Sequence, residues 1–76
     1  MRFFNFCKDE ENFLIKNCNF TDDELAIFKY KQKDFTIVKI AMEMNISERT
    51  VNILVDRVAN KIIRTLIIRA IINEPK

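Results

Sequence analysis

The sequence predicts an all-α fold, a small helical domain of four to five helices with a long C-terminal helix. Three observations predict it. The 76 residues include no Gly and one Pro, at position 75, so the chain carries almost none of the residues that break helices. Apolar side chains recur at three- and four-residue spacings along most of its length. Thr21, Thr36 and Ser47 each stand just ahead of such a run, where helix-capping residues belong. At 49% hydrophobic and 32% charged, the chain is too apolar to be disordered, and its length suits one domain over residues 1–76.

Lys8 to Lys16 is the first candidate helix. Asp9, Glu10 and Glu11 suit the positive end of its dipole, and Phe13 and Leu14, with Phe6 just before, supply an apolar side. Asn17-Cys18-Asn19 breaks it. The second helix has the clearest start. Thr21 followed three residues later by Glu24 is a capping box, in which each side chain accepts from the other residue's free backbone N–H. Phe20 and Leu25 form a hydrophobic staple across that start, and Asp22 and Asp23 favour the dipole. Leu25, Ile27, Phe28 and Tyr30 form the packing side, leaving Lys29, Lys31 and Lys33 to water or a partner.

Thr36 caps a short third helix, Ile37 to Glu43, with Ile37, Ile40, Ala41 and Met44 at helical spacing. Asn45 carries the next turn, because Asn tolerates the left-handed conformation where Gly is missing. Ser47 caps the last helix. No Pro or Gly interrupts it before Pro75, so it runs about 25 residues, from Glu48 to Ile72.

Composition weighs against catalysis. Without His the chain lacks the commonest general base and metal ligand, and without Gly it has neither a phosphate loop nor a dinucleotide fingerprint. Neither a catalytic residue, a cofactor nor a small-molecule substrate is expected. Cys7 and Cys18 have no companion ligands, so no metal site is expected either. A disulfide between them is open in principle, but two packed thiols fit a chain without an export signal better. The start, Met1 to Cys7, lacks the long apolar region of a signal peptide. Ile62 to Ile72 is too short, and too interrupted by Arg64 and Arg69, to span a bilayer. No membrane association is expected, and the expected location is cytoplasmic.

The formal charge of +2 hides an asymmetry. Residues 1–30 hold four basic and six acidic side chains, whereas residues 45–76 hold six basic and three acidic. A basic C-terminal half suits a phosphate backbone, where each neutralised phosphate releases counterions, and it suits a solvated helix face equally.

Two helices joined by a short turn make a helix-turn-helix, here over residues 36–62. With Ile37 as its first position, Ile40, Met44, Ile46, Val51 and Leu54 fall where the two helices and their support must meet. Ala41 falls where only a small side chain lets the helices cross closely, and Asn45 lands on the turn. The segment from Ile46 through Ser47, Glu48, Arg49 and Thr50 to Ile62 resembles the recognition helix of LuxR/GerE-type regulators. It is similar also to region 4 of sigma-70-type sigma factors. The Thr21–Glu24 helix start and Ile40-Ala41 resemble positions of the same families, so the likeness covers residues 21–62. Asp34 departs from the Gly common before the scaffold helix, and Asp56 from a usually polar or basic position. An uninterrupted apolar extension, residues 62–73, replaces the usual separate fourth helix. With no receiver, ligand-binding or sigma region 2 segment, a stand-alone output module is expected.

The resemblance implies double-stranded DNA as the partner and sequence-specific control of transcription as the function. A recognition helix presents its N-terminal half to the major groove. Opposite Val51, Leu54 and Val55 lie Ser47, Glu48, Arg49, Asn52, Ile53 and Asp56. Asn52 has the chemistry to read adenine, Arg49 to read guanine or grip phosphate, and Ile53 to touch a thymine methyl. Thr50, Arg57 and Lys39 are phosphate candidates, with Lys61 a lesser one. Two residues point elsewhere. Asp56 is repelled by phosphates unless it accepts from a cytosine amine, and the exposed Ile53 suits a protein contact. The rival function is a protein-interaction module on the same scaffold, binding RNA polymerase or a sigma factor without binding DNA.

The extension has its own logic. Val55, Val58, Ala59, Ile62, Ile63, Leu66, Ile67, Ala70 and Ile71 form a broad stripe, widened by Ile68 and Ile72 until the last turns are apolar nearly all round. Such a helix is buried. Phe3, Phe4, Phe6, Phe13 and Leu14 supply some cover. The remainder predicts a homodimer through Ile63, Leu66, Ile67, Ala70 and Ile71, whose two recognition helices, ~34 Å apart, would read a palindromic site. A helix of RNA polymerase or another regulator is the rival occupant.

Overall fold

The structure, a computed structural model, describes residues 5–73. It contains α1 (Lys8–Asn17), α2 (Asp22–Gln32), α3 (Ile37–Met44) and α4 (Glu48–Asn73), with no strand among the described residues. The observed fold is the expected all-α one with a long C-terminal helix. Phe3, Phe4 and Pro75 lie outside the described residues, as does the side chain of Ile72. No helix among the described residues is long and apolar enough to cross a membrane.

The helix starts lie where their caps placed them. Thr21 Oγ1 accepts from the Glu24 N–H at 3.2 Å, and Glu24 Oε1 accepts from the Thr21 N–H at 3.0 Å. Thr36 Oγ1 accepts from the Lys39 N–H at 3.1 Å, and Ser47 Oγ from the Thr50 N–H at 3.1 Å. Each such cap contributes about 1 kcal/mol.

The helix ends show how a chain without Gly closes them. Asn19, Asp34 and Asn45 hold φ of 54°, 67° and 57°, the left-handed region, which Asn and Asp enter more readily than other L-residues. After α2, Phe35 N–H donates to Tyr30 O at 3.1 Å and Asp34 N–H to Lys31 O at 2.9 Å. After α3, Ile46 N–H donates to Ala41 O at 3.1 Å and Asn45 N–H to Met42 O at 3.4 Å. These nested pairs are Schellman motifs. The apolar contact that accompanies the first is Phe35 stacked on Tyr30, ring centroids 5.2 Å apart. Asn45 was foreseen in this role, whereas Asp34 fills it where the sequence shows only a departure from Gly.

α4 packs against the other three helices, most extensively against α2. The core is Leu14, Cys18, Ile27, Phe28, Ile40, Ala41, Val51, Leu54, Val58 and Ile62. Phe28 is its largest sealed side chain, with the rings of Phe6 and Phe20 at 6.1 and 5.3 Å. The Gln32 amide clips the entering chain in place: its Oε1 accepts from the Phe6 N–H, and its Nε2 donates to the Phe6 carbonyl.

Two expectations change, those for Cys7 and for the last turns of α4, while Cys18 is packed as expected. Cys7 is exposed rather than packed, because it flanks the start of α1, where its N–H donates to Glu10 Oε1. Cys18 is buried and free, its Sγ 3.2 Å from Thr65 Oγ1, and burial pushes its thiol pKa up. The last turns of α4 are not buried within one chain: Ile63, Ile67, Ile68 and Ile71 are 45%, 54%, 50% and 69% exposed. α1 covers one side of this segment, with the Arg69 guanidinium 4.5 Å over the Phe13 ring. The other side has no cover among the described residues, and of the expected dimer residues Leu66 alone is half-buried against the core.

Candidate nucleic-acid interface

Val51, Leu54, Val58 and Ile62 turn into the core and fix the rotation of α4 about its axis. That rotation decides which residues face outward. Ser47, Glu48, Arg49, Thr50, Asn52, Ile53, Asp56 and Arg57 are all exposed on the first three turns. α3 is held beside this segment by the Asn45-Ile46-Ser47 turn, with the small Ala41 buried. α3 and the first turns of α4 thus take the relative places the spacing required.

The exposed face carries several chemistries. Arg49, Asp56 and Arg57 are exposed and enter no ion pair among the described residues. The Asn52 carboxamide offers a donor and an acceptor side by side, the pattern that matches an adenine edge. Ser47 and Thr50 share a hydroxyl–hydroxyl bond of 2.9 Å. One of the two donates in that bond, so the other keeps a proton for an outside acceptor. Ile53 is 45% exposed, an apolar spot between polar neighbours. Lys39, on the exposed side of α3, holds its ammonium 5.2 Å over the Phe35 ring. An exposed contact of that kind is worth about 0.5–1 kcal/mol and yields readily to a phosphate.

Lys61 stands apart from this group. Its Nζ lies 2.5 Å from Glu24 Oε1 and 3.1 Å from the Asn19 carbonyl, so its charge is committed to the α2 side. Glu24 is the buried charged residue of the core. Its pKa is held below the usual carboxylate value, first by the Lys61 bond and then by the Thr21 N–H. The sequence shows Glu24 as a helix cap and Lys61 as a lesser phosphate candidate; the structure makes them a clamp between α2 and α4. Nothing local pairs two residues 37 positions apart, and the capping box fully accounts for a Glu at that position.

Asn60 and Arg64, to which the sequence assigned no contact, are both exposed on α4 beyond Arg57.

A family model for bacterial regulatory proteins of the luxR family, GerE, matches residues 19–70, about two-thirds of the chain. No curated protein and no solved structure gives a significant match. The matched span begins at the turn before α2 and continues through α3 far into α4, leaving α1 outside it. With its capped α2, its α3–α4 helix-turn-helix and its family match, the chain belongs to the luxR family of bacterial regulatory proteins and is a DNA-binding regulatory domain.

Proposed function

We propose that the chain is a sequence-specific transcription regulator that sets the N-terminal half of α4 in the DNA major groove and acts in the cytoplasm. The observation that carries this reading is the row of exposed, unpaired groups opposite the locked face of α4: Arg49, Asn52, Asp56 and Arg57. Arg49 and Asn52 read base edges, Ile53 meets a thymine methyl, and Asp56 accepts from a cytosine amine. Arg57, Lys39, Thr50 and Ser47 set the register on phosphates. The uncovered stripe of Ile63, Ile67, Ala70 and Ile71, with the edge of Leu66, takes a second copy of the chain.

Titration of a labelled mixed-sequence duplex across a salt series tests the DNA reading. Affinity should fall steeply as salt rises, since each phosphate contact releases condensed counterions. Arg49→Ala and Asn52→Ala should weaken binding further. Absence of binding at about 50 mM salt refutes the proposal. It would transfer the function to a protein-interaction module for RNA polymerase or a sigma factor. That second reading is favoured by the exposed apolar Ile53, together with Val38 and Met42 on α3, 52% and 76% exposed.

A further inference from the structure

α4 is one helix from Glu48 to Asn73, and it holds no Pro or Gly to kink it. Angular positions, about 100° per residue, therefore carry from one end to the other. Arg49, Asp56, Asn60 and Ile67 fall within roughly 40° of one another on this rod, and Asn52, Ile53, Ile63 and Ile71 lie within about 60° of the same line. All eight are exposed. The DNA-reading face and the uncovered apolar stripe are thus one face of one helix.

This alignment bears on how two copies can meet. A two-fold pair that buries the stripe face to face turns the two reading faces toward each other. In an antiparallel pair each reading face then lies against the partner's stripe and cannot meet a duplex, whereas a parallel pair would fork across one duplex and keep the palindromic reading expected from the sequence.

We propose that a second copy of this chain covers the face as an antiparallel α4–α4 pair centred on Asn60, and that the pair shields the reading residues until it separates. The inference rests on the DNA reading proposed above. In that register Ile53 lies opposite the partner's Ile67, Asp56 opposite the partner's Arg64, and Arg49 opposite the partner's Ile71. Asn60 meets its own symmetry mate, where each carboxamide offers the donor and acceptor that the other needs, and a buried Asn fixes register. The two residues least suited to DNA, Asp56 and Ile53, then acquire a cation and an apolar partner. Arg57, at the edge of the face, stays in water. A parallel pair would instead set Asp56 against Asp56 and Arg64 against Arg64. One helix face is small beside the ~800 Å² per partner of a stable complex, so the pair is weak enough for DNA to compete with it.

Cross-linking tests the arrangement in the full chain, with the exposed Cys7 replaced by Ser. Asp56→Cys and Arg64→Cys chains, one of them mass-tagged, should form a disulfide on mixing and oxidation, while neither cross-links to itself. Self-linking of Asp56→Cys, or no linking at all, overturns the antiparallel pair. A chain carrying both substitutions cannot bridge within itself, because eight residues of helix separate them by about 12 Å. Its cross-linked dimer should bind a mixed-sequence duplex at least tenfold more weakly than the same chain after reduction. Equal binding before and after reduction overturns the shielding. Ile67→Glu should sediment as a monomer and bind the duplex at least as tightly as the unsubstituted chain. If neither the reduced chain nor Ile67→Glu binds DNA at low salt, the DNA reading falls and the shielding with it, while the cross-link reports the pair independently.

Discussion

Replacing Lys61 by Met isolates the clamp between α2 and α4. The substitution keeps an unbranched stem and removes the ammonium, leaving the Glu24 carboxylate buried with only the Thr21 N–H and its own helix start for company. Breaking a fully buried pair from one side costs about 3–5 kcal/mol, and exposed pairs are worth about 0–1 kcal/mol. Here the Glu24 side chain is 4% exposed and that of Lys61 31%, so an intermediate loss of about 2 kcal/mol is expected. For a domain of this size that lowers Tm by about 10 °C. The pH dependence supplies the sign. Because Glu24 has a folded pKa below its ordinary 4.5, its contribution is present above that value and is lost as pH falls through the folded pKa. The gap between the two proteins should therefore be widest at neutral pH and narrow on acidification, read by circular dichroism melts at pH 7 and pH 4. A Lys61→Met protein as stable as the parent at pH 7, or an equal gap at both pH values, would refute the clamp. The salt dependence of DNA binding should not change, since Lys61 is not free to meet a phosphate.

Asn45→Ala should destabilise the domain by about 1 kcal/mol, because Ala lacks the local side-chain bonding that eases Asn into left-handed backbone, while Asn45→Gly should hold or raise Tm in the same melt. Arg57→Ala should lower the magnitude of the log–log salt slope of duplex binding by about one without changing sequence preference, as expected for a phosphate contact. Asn52→Ala, tested by selection from a randomised duplex pool, should relax preference at one base pair and cost about 1–3 kcal/mol there; an unchanged selected sequence would remove Asn52 from base reading. Asp56→Asn should strengthen binding to mixed-sequence duplex at low salt, because a carboxylate facing phosphates is lost.

The sequence by itself determined the helices, their caps and the turn. Those features rest on interactions between residues three to five positions apart: Thr21 with Glu24, Thr36 with Lys39, and the nested bonds that Asn45 closes. It determined which side of α4 faces outward as well, since one helical period sends Val51, Leu54 and Val58 inward and Arg49, Asn52 and Asp56 outward. Only the tertiary structure decided which charges are free. Arg49 and Arg57 are, whereas Lys61 is held by a carboxylate 37 residues away that doubles as a helix cap. It also decided what remains uncovered. Apolar periodicity shows that the C-terminal half of α4 needs cover, but burial depends on what packs against a helix. Here α1 reaches one side through Leu14 and Phe13, and among the described residues the side bearing Ile63, Ile67 and Ile71 stays open, in line with the exposed Arg49 and Asp56.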